Sequence, residues 1–566
     1  MILGILRVNC QSLTPQWALQ IGGIGDDRGI KVISDLNGNI YFAGIFEKKA
    51  IVSINGIKDT IQSKGYEDVY FGKVNPDGQL LWSQRIGGKG SDSPTDLMID
   101  RSGHVYLSGI FQDSCFFQSD TLVCSDYIDS FITKFDSLGN VLWIRQISGE
   151  GNQQCRAMMS DINGSLITGG FFTKTLEFPT TQSTVYQSQG GYDGFVAKWT
   201  PQGQLDWVNT VPNSGDVILK DVMTDSQGDC YTVGNFTDSI SLDNDQSQIR
   251  SVGKTDVFLI KYNEEGDLEW AESFGGIFDD NAKCITAGGN SKMVVVGEFK
   301  EDLLCDENVI LTAQGGDDIF YLTFNKHGKL QHQKKHGLEK NDFVFDAWIP
   351  VGQKILMASD LRINQENKNT ILADYGLLGD MSDLYLTGDD LNPTVLSGVM
   401  TTNDQIYFCG NFHGTAIFNQ LNLVSYGSED FFLIKLGSDY KNEAVDQPDS
   451  NEVIQIASKT PSPQSFGNIS LLNTNDSVNT LFIYPNPFRE ETHIIYNISE
   501  TCDIVINILD VKGNILKEWD LPNQSPGTYV ENYITVGLSE GVYECIFQAQ
   551  GKTVFISKYL KLIHVK

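Results

Sequence analysis

An internal repeat of about 63 residues constrains this chain most, because a repeated unit must bury its apolar face against neighbouring copies. A strand of the form Gly-x-Leu-x-Trp recurs at intervals of 61, 64 and 63 residues, ending at Trp82, Trp143, Trp207 and Trp270. Trp17 lies one further period upstream, and His332 takes the same place in a weaker fifth copy. The chain is therefore predicted to be an array of equivalent structural units.

Two further markers recur with the same period. A strand ending in Gly-x-Phe returns at Phe46, Phe111, Phe171, Phe236, Phe299 and Phe412, with a degenerate seventh copy at 356–360. An aspartate precedes an alternating apolar strand at Asp68, Asp129, Asp193, Asp256 and Asp430. Together with the tryptophan strand, these markers predict four strands in each of seven units.

The first unit illustrates the predicted strands, at 28–34, 39–46, 68–74 and 80–86. Hairpin turns join the outer pairs, because Asn-Gly and Pro-Asp-Gly supply the backbone conformations that tight turns need. Four antiparallel strands repeated around an axis form a propeller, in which each blade packs against its neighbours.

The two ends of the array are complementary. The last unit stops after Phe431–Lys435 and lacks its tryptophan strand, whereas the chain opens with an orphan strand of that kind at Pro15–Gly23. We predict that the opening strand completes the last blade, which leaves no unpaired sheet edge at the junction. The predicted fold is all-β, a seven-bladed β-propeller over residues 13–440 closed by an N-terminal strand.

The repeats resemble the bacterial seven-bladed propeller (SBBP-like) family, whose units look like D-x-x-G-N-x-Y-x-x-G-x-F followed by G-x-D-x-F-x-x-K-x-x-x-x-G-x-L-x-W-x-x-x-x-G-G. The match covers about residues 13–440. It is specific in the first four units, good in the seventh and weak around 340–395, where the sequence leaves the bounds of the sixth blade open.

A second module follows a polar segment at 441–480, which we predict to be a flexible linker. Alternating strand patterns resume at Leu481 and predict a small Ig-like β-sandwich over 481–566. The module resembles the type IX secretion C-terminal sorting domain of Bacteroidetes, through Tyr484, Pro485, Asn486, Pro487, Gly541 and Tyr543. The resemblance implies recognition by the type IX secretion machinery and a secreted or outer-membrane cell-surface location. An ordinary Ig-like accessory domain is the alternative.

Composition limits the partners. The formal net charge of −31 predicts an acidic surface that repels nucleic acid and anionic lipid. No apolar run is long enough to predict a transmembrane helix, and we expect a monomer.

Residues 1–12 fit either the remnant of a truncated signal peptide or an edge strand. Cys115 with Cys124, and Cys502 with Cys545, are conceivable disulfide pairs, but the sequence does not fix them.

Carboxylates are the only cluster of chemical interest, because no GxSxG, HExxH or P-loop motif is present. The connections between units carry Asp26, Asp27, Asp92, Asp279, Asp280 and Asp342. Propeller topology places these connections on one face, where a ring of carboxylates could bind a ligand or hold Ca²⁺. No other cofactor is predicted. The alternative is that these side chains cap turns by accepting backbone N–H bonds.

Two functions are compatible with these features. The first is a secreted or cell-surface, non-catalytic binding or adhesion propeller that recognises an extracellular glycan or protein through its loop face. The alternative is a secreted carbohydrate-active hydrolase or lyase that uses carboxylates in the channel. Such an enzyme needs two carboxylates about 5–10 Å apart in a pocket, at least one with a perturbed pKa. A specific site should break the repeat, as the long connections at 47–66, 112–127, 172–191, 237–254 and 300–316 do.

Overall fold

In a computed structural model the chain is all-β, as the repeats predict. The described residues form 41 strands and contain no helix. They fall into two compact units, Met1–Glu443 and Ala444–Lys566. The structure describes residues 13–438 and 478–564. Gaps within these ranges lie at 55–56, 119, 180–183, 243–246, 288–291, 306–307, 338–342, 349–353, 363–367, 377–380, 387–393, 402–404, 419–420, 485–490, 499–500, 510–514, 535–540 and 551–554.

The first compact unit opens with β1 (Leu13–Gly23) and continues as antiparallel groups of strands, named units 1 to 7. Units 2, 3 and 6 are separate four-stranded sheets, whereas units 4 and 5, and units 7 and 1, are each joined into one eight-stranded sheet. Unit 1 contains β2 (Arg28–Ser34), β3 (Ile40–Ile54), β4 (Ile57–Val74) and β5 (Leu80–Ile86). Unit 2 contains β6 (Asp92–Ile99), β7 (Val105–Phe111), the hairpin β8 (Ser114–Phe117) and β9 (Asp120–Val123), β10 (Asp129–Phe135) and β11 (Val141–Ile147). Unit 3 contains β12 (Gln153–Ser160), β13 (Leu166–Phe172), the hairpin β14 (Thr175–Glu177) and β15 (Val185–Gln187), β16 (Asp193–Trp199) and β17 (Leu205–Val211).

The later units follow the same order. Unit 4 contains β18 (Val217–Thr224), β19 (Cys230–Phe236), the hairpin β20 (Ser239–Leu242) and β21 (Ser247–Arg250), β22 (Asp256–Tyr262) and β23 (Leu268–Gly275). Unit 5 contains β24 (Asn281–Ala287), β25 (Lys292–Cys305), β26 (Asn308–Asn325) and β27 (Leu330–His336). Unit 6, where the repeat is weak, contains β28 (Phe343–Trp348), β29 (Lys354–Arg362), β30 (Lys368–Gly376) and β31 (Met381–Leu386). Unit 7 contains β32 (Thr394–Met400), β33 (Ile406–Phe418) and β34 (Leu421–Ser438).

The opening strand completes unit 7. β1 pairs antiparallel with β34, with Trp17 opposite Lys435 and Ile21 opposite Phe431. The predicted pairing of these two segments is therefore confirmed. In all other tryptophan-bearing units the same cross-strand pair recurs, as with Trp82 opposite Lys73.

The segments predicted as long loops are largely two-stranded ribbons. β2 and β5 have the predicted bounds, but β3 and β4 continue beyond theirs and pair with each other as far as Ile54 and Ile57. The extension alternates, with Ala50, Val52 and Ile54 buried, so it packs one face inward. In units 1 to 5 the ribbon contacts the fourth strand of the preceding unit, for example where Phe274 of β23 pairs with Cys305 of β25.

Tryptophan and lysine of one unit hold a turn of the next. The Trp143 indole N–H donates to the Pro201 carbonyl oxygen at 3.1 Å, and Lys134 Nζ donates to the same oxygen at 3.4 Å. Gly203 in that turn has φ of +74°, and a Cβ there would stand 2.8 Å from the indole. The recurrent Gly-x-Leu-x-Trp motif is thus explained by contacts between units.

The same contact joins unit 7 to unit 1. The Trp17 indole N–H donates to the Pro76 carbonyl oxygen at 3.0 Å, and Lys435 Nζ donates to it at 2.9 Å. The first strands of the units also contact one another in sequence, from β2 through β6, β12, β18, β24, β28 and β32. β32 then contacts β2, so this series of contacts returns to its start.

The second compact unit contains two antiparallel sheets that share a core. One sheet contains β35 (Val478–Tyr484), β36 (Glu491–Ile498) and β39 (Gly527–Ile534). The other contains β37 (Cys502–Leu509), β38 (Ile515–Gln524), β40 (Gly541–Gln550) and β41 (Phe555–His564). Ile494 and Tyr496 of the first sheet pack with Ile506, Tyr543 and Phe547 of the second.

Neither conceivable disulfide is formed. Cys115 and Cys124 are both thiols, the first buried and the second half-buried. Cys545 lies opposite Ile508 in the β37–β40 pair, rather than opposite Cys502.

Candidate functional site

The loop face of the first compact unit is formed by the connections between units and by the turns that lead from second to third strands. Backbone bonds join the two sets: Tyr66 N–H donates to the Gly90 carbonyl oxygen at 3.1 Å, and Asp280 N–H donates to that of Thr255 at 2.7 Å. The meander within each unit requires this arrangement, because alternate strand ends lie on opposite faces. The loop face contains the five predicted acidic residues that the structure describes, Asp26, Asp27, Asp92, Asp279 and Asp280.

A buried aspartate in the third strand of units 1 to 5 and 7 organises this face. Its carboxylate accepts the backbone N–H four residues upstream, as Asp68 does from Lys64 at 3.0 Å and Asp430 does from Tyr426 at 3.0 Å. The same bond occurs at Asp129, Asp193, Asp256 and Asp318. These aspartates are fully or almost fully buried, so each shapes the turn of its own unit.

Three of the predicted site residues lie beside these aspartates. Asp27, Asp92 and Asp280 are fully buried and accept backbone N–H bonds. Asp27 accepts from Glu47 at 3.1 Å, Asp92 from Gly88 at 2.7 Å, and Asp280 from Gly276 at 2.5 Å. These bonds are those expected if the side chains cap turns.

Each of the three forms a carboxyl pair with the third-strand aspartate of the preceding unit. Burial, together with the neighbouring charge of Asp68, raises the pKa of Asp92 to about 7. Burial and Asp256 raise the pKa of Asp280 to about 7, and burial likewise raises the pKa of Asp27, beside Asp430, to about 7. Burial and the neighbouring carboxylate therefore both favour the neutral form of Asp27, Asp92 and Asp280.

Glycine makes room for these pairs. A Cβ on Gly87 would stand 2.7 Å from Asp68 Cγ and 2.9 Å from Asp92 Oδ2, so both carboxyl groups lie close to one point. A Cβ on Gly275 would stand 2.3 Å from Asp256 Cγ. The first glycine of the recurrent Gly-Gly is therefore required by the carboxyl group beneath it.

The other predicted acidic residues differ in environment. Asp26 is half-buried and pairs with Arg28 at 3.1 Å, and Arg28 also pairs with Glu429 at 3.0 Å. Asp279 is accessible, with Lys254 at 3.6 Å. Asp342 lies outside the described residues. In the described part of the chain, no three His, Cys, Asp or Glu side chains are grouped so that they could hold a metal ion.

Aromatic side chains on the loop face are the feature that the sequence did not reveal. Tyr66 is 75% exposed, Tyr127 is 65% exposed and Tyr426 is 38% exposed. Ile24 and Ile277, at equivalent places in two connections, are exposed beside them on the same face. The only sequence signal for these tyrosines is their position within a few residues of the third-strand aspartate.

The structure describes only part of the predicted sorting motif. Tyr484 ends β35 opposite His493, and Gly541 begins β40 opposite His564. Tyr543 is a buried core residue. Pro485, Asn486 and Pro487 lie outside the described residues, as do residues 1–12 and the greater part of the predicted linker.

The C-terminal module defines the class of protein. Residues 482–561 match the family described as the secretion system C-terminal sorting domain. The protein is therefore a type IX secretion cargo of the Bacteroidetes kind, and it is secreted or held at the cell surface. Among the described residues there is no helix with the length and hydropathy needed to cross a membrane.

Similarity to individual proteins covers only pieces of longer chains. One relative is an uncharacterized WD repeat-containing protein of Acanthamoeba polyphaga mimivirus, 25% identical over 36% of this chain and 17% of its own length. Another is the regulatory protein FlaEY of Caulobacter vibrioides, 29% identical over 22% of this chain and 13% of its own length. The chain thus spans less than a fifth of either curated relative.

Solved structures resemble the chain only distantly. PorZ, a surface component of the type IX secretion system of Porphyromonas gingivalis, is 12% identical, with 95% of this chain and 81% of PorZ covered and a TM-score of 0.24. A puromycin hydrolase is 8% identical, with 68% and 58% covered and a TM-score of 0.35. At these TM-scores the similarity carries no argument about fold or activity.

Proposed function

We propose that the protein is a non-catalytic binding or adhesion module: a closed seven-bladed propeller of the SBBP type, exported by a C-terminal Ig-like sorting domain, that recognises an extracellular glycan or protein through its loop face. It acts as a monomer. The concentration of exposed tyrosines on the loop face is the observation that carries the binding proposal.

Closure of the propeller is supported by the contacts between unit 7 and unit 1. The bonds from Trp17 and Lys435 to the Pro76 carbonyl oxygen repeat, across the two ends of the array, the contact that joins Trp143 and Lys134 to Pro201. A linear array would have no reason to repeat this contact at its ends. A closed ring also leaves no unpaired sheet edge where the two ends of the array meet.

Binding is supported by what the loop face exposes. Tyrosine combines a large apolar ring with a polar tip, so it stacks on sugars and packs in protein interfaces at a low entropic cost. In the described part of the first compact unit, the exposed tyrosines all lie on the loop face, whereas the hairpin turns opposite expose aliphatic side chains such as Leu36 and Leu138. Accessible Asp26 and Asp279 remain candidates for polar contacts on that face.

The enzymatic alternative, a carbohydrate-active hydrolase or lyase, is less well supported. Asp27, Asp92 and Asp280, whose pKa values are raised by burial, are fully buried and already bonded to backbone N–H groups. They also recur at equivalent places in three units, which favours a structural role. Turnover of a neutral or acidic polysaccharide that is lost in Asp26→Asn with Asp279→Asn would support the enzymatic alternative instead.

Binding is tested with one triple variant on the loop face and a matched triple variant on the opposite face as a control. Exported protein is applied to glycan arrays and to arrays of extracellular proteins, and the affinity for the best ligand is then measured. We expect Tyr66→Ala, Tyr127→Ala and Tyr426→Ala together to weaken binding at least about tenfold, as loss of an aromatic anchor does. Leu36→Ala, Leu138→Ala and Ile162→Ala remove comparable exposed apolar area and should change nothing. Equal loss in both variants, or in neither, contradicts the proposal.

Export is tested separately. Deletion of residues 478–566 should leave the first compact unit folded inside the cell envelope and absent from the medium and cell surface. Appearance of the truncated protein outside the cell would contradict the role of the sorting domain.

A further inference from the structure

Each first strand carries one β-bulge at the same place, and the residue in the bulge differs between units. It is Ile30 in unit 1, Thr95 in unit 2, Phe345 in unit 6 and Leu396 in unit 7. In units 3, 4 and 5 the bulged residues are all cationic: Arg156, Lys220 and Lys283. A bulge redirects a side chain out of the regular alternation, and such positions are often functional. Three consecutive units therefore differ from the others in having a positively charged residue at this position.

The three cationic bulges are neighbours. β12, which carries Arg156, is bonded to β18 because Thr224 Oγ1 donates to the Ser160 carbonyl oxygen at 3.0 Å. β18, which carries Lys220, is bonded to β24 because Asp221 Oδ2 accepts the Ile285 N–H at 2.9 Å. The cations therefore follow one another along the series of first strands.

The charges of Arg156 and Lys283 act on Lys220, and all three side chains are at least partly accessible to solvent. The Arg156 side chain is exposed, yet desolvation by the surrounding protein lowers its pKa. Desolvation, with the charges of Arg156 and Lys283, lowers the pKa of Lys220 to about 8. Exposure to solvent combined with desolvation is typical of a cleft rather than of a convex surface.

Nearby carboxylates only partly compensate these cations. Glu298 Oε1 pairs with Lys283 Nζ at 3.2 Å and also accepts the Val344 N–H at 3.0 Å. Asp221 accepts the N–H groups of Val222 and Ile285 at 2.8 and 2.9 Å. A second ion pair of the first strands, Lys31 with Asp96, has its partners 3.8 Å apart.

Two of the cations have no acidic partner among the side chains that the structure describes. Within the part of the chain that the structure describes, no carboxylate lies within ion-pair distance of the charged groups of Arg156 or Lys220. The guanidinium of Arg156 instead lies over the Phe171 ring, 5.5 Å from its centroid. Clustered, partly desolvated cations with few counter-charges are costly in a folded protein, and a bound anion would reduce that cost.

We propose that Arg156, Lys220 and Lys283 form an anion-binding site that takes an oxyanion group (carboxylate, sulfate or phosphate), either as a free ion or as the charged group of an acidic saccharide. Arginine suits this role because its planar fork binds two oxygens of one anion at once. The site is exceptional in a chain with a net charge of −31, which otherwise repels anions. The proposal depends on the packing of three first strands and not on the tyrosines of the loop face.

Calorimetric titration of the exported, full-length protein tests the proposal. The titrants are sodium sulfate, sodium phosphate, an oligogalacturonate and a neutral oligosaccharide of equal length, at ionic strength held constant with chloride because exposed charges are screened by salt. We expect saturable binding of at least one oxyanion titrant and none of the neutral oligosaccharide. Tighter binding of the oligogalacturonate than of both free ions assigns an acidic saccharide; the reverse assigns a free oxyanion.

Variants identify the residues. Arg156→Gln with Lys220→Gln should weaken oxyanion binding at least about tenfold, since each bond to a charged donor contributes on that scale. The control, Lys326→Gln with Lys329→Gln, removes the same charge from an exposed turn on the opposite face and should bind as the parent does. Thermal unfolding verifies that both variants fold. If the double variant does not fold, Arg156→Gln alone replaces it, because the Arg156 side chain is exposed.

Three results would overturn the proposal. These are the absence of saturable oxyanion binding to the parent protein, equal binding by the Arg156→Gln variants and the parent, and equal loss in the Lys326→Gln control. The tyrosine triple variant separates the two proposals, because it should lose loop-face binding and retain oxyanion binding.

Discussion

Replacement of Asp92 by asparagine should stabilise the protein at high pH and leave it nearly unchanged at low pH. Burial, with the charge of Asp68 beside it, raises the pKa of Asp92 from 3.8 to about 7. Because the folded-state pKa is raised, protonation of Asp92 stabilises the fold fully below about pH 4, and this stabilisation is lost as the pH rises through 7. At 1.36 kcal/mol for each pKa unit, the loss is about 4 kcal/mol at most.

The asparagine variant lacks this titration. Its amide oxygen replaces Asp92 Oδ2 as acceptor for the Gly88 N–H, and the amide carries no charge beside the buried Asp68. Arg85 continues to pair with Asp68 at 2.5 Å. The chain already uses an amide at the equivalent place in unit 3, where Gln153 donates to the carbonyl oxygens of Glu150 and Thr175.

Unfolding by guanidinium chloride, followed at pH values from 4.5 to 8.5, measures the effect. Relative to the parent, Asp92→Asn should gain about 1.4 kcal/mol for each pH unit between pH 5 and 7 and then level off. Cys115, the other titratable group beside Asp92, stays neutral over this range because burial raises its pKa well above the ordinary value. Asp59→Asn, which removes the same charge from an exposed residue, should run parallel to the parent. A constant difference between Asp92→Asn and the parent across this range would refute the coupling of burial to ionisation.

Three further changes test the contacts between and within units. Trp17→Ala removes the indole that packs on Tyr407 and bonds to Pro76, and should cost about 3–5 kcal/mol, measured as a lower unfolding midpoint; an unchanged midpoint would mean that β1 does not hold unit 7 to unit 1. Gly275→Ala places a Cβ 2.3 Å from Asp256 Cγ and should lower the melting temperature by several degrees; a neutral result would show that the carboxyl group can move. Glu301→Gly relieves a φ of +58° at a position where unit 7 already has Gly414, and should raise the free energy of unfolding in guanidinium chloride by up to about 1 kcal/mol; a decrease would mean that the freedom of glycine in the unfolded chain outweighs the relief.

The sequence predicts the repeated contacts well because these contacts need particular residue types at fixed spacing. The pairing of β1 with β34 follows from a tryptophan strand missing at one end and present at the other, and the structure contains that pairing. The bounds of β2 and β5 follow from the hairpin turns that flank them. Turn chemistry and alternation are local signals, so they can be read from a single sequence.

Burial of the acidic residues could not be predicted in the same way. Aspartates in connections are ordinarily solvated, and a single sequence does not indicate that Asp27, Asp92 and Asp280 are covered by ribbons. The alternation of Ala50, Val52 and Ile54 was a usable signal that 47–66 continues as strand, but its length suggested a loop. Exposure of Tyr66 or Tyr127 depends on the tertiary path of the ribbon and leaves no local pattern.

Repetition separates the structural from the functional residues. The tryptophan–carbonyl bond, the third-strand aspartate and the glycine above it recur from unit to unit, because each unit meets its neighbours in the same way. The bulged position of the first strand has no such constraint: its residue is apolar in unit 1, hydroxylated in unit 2 and cationic in units 3 to 5. Arg156, Lys220 and Lys283 lie at a position whose residue type changes from unit to unit, so the proposed anion site uses none of the residues that hold the units together.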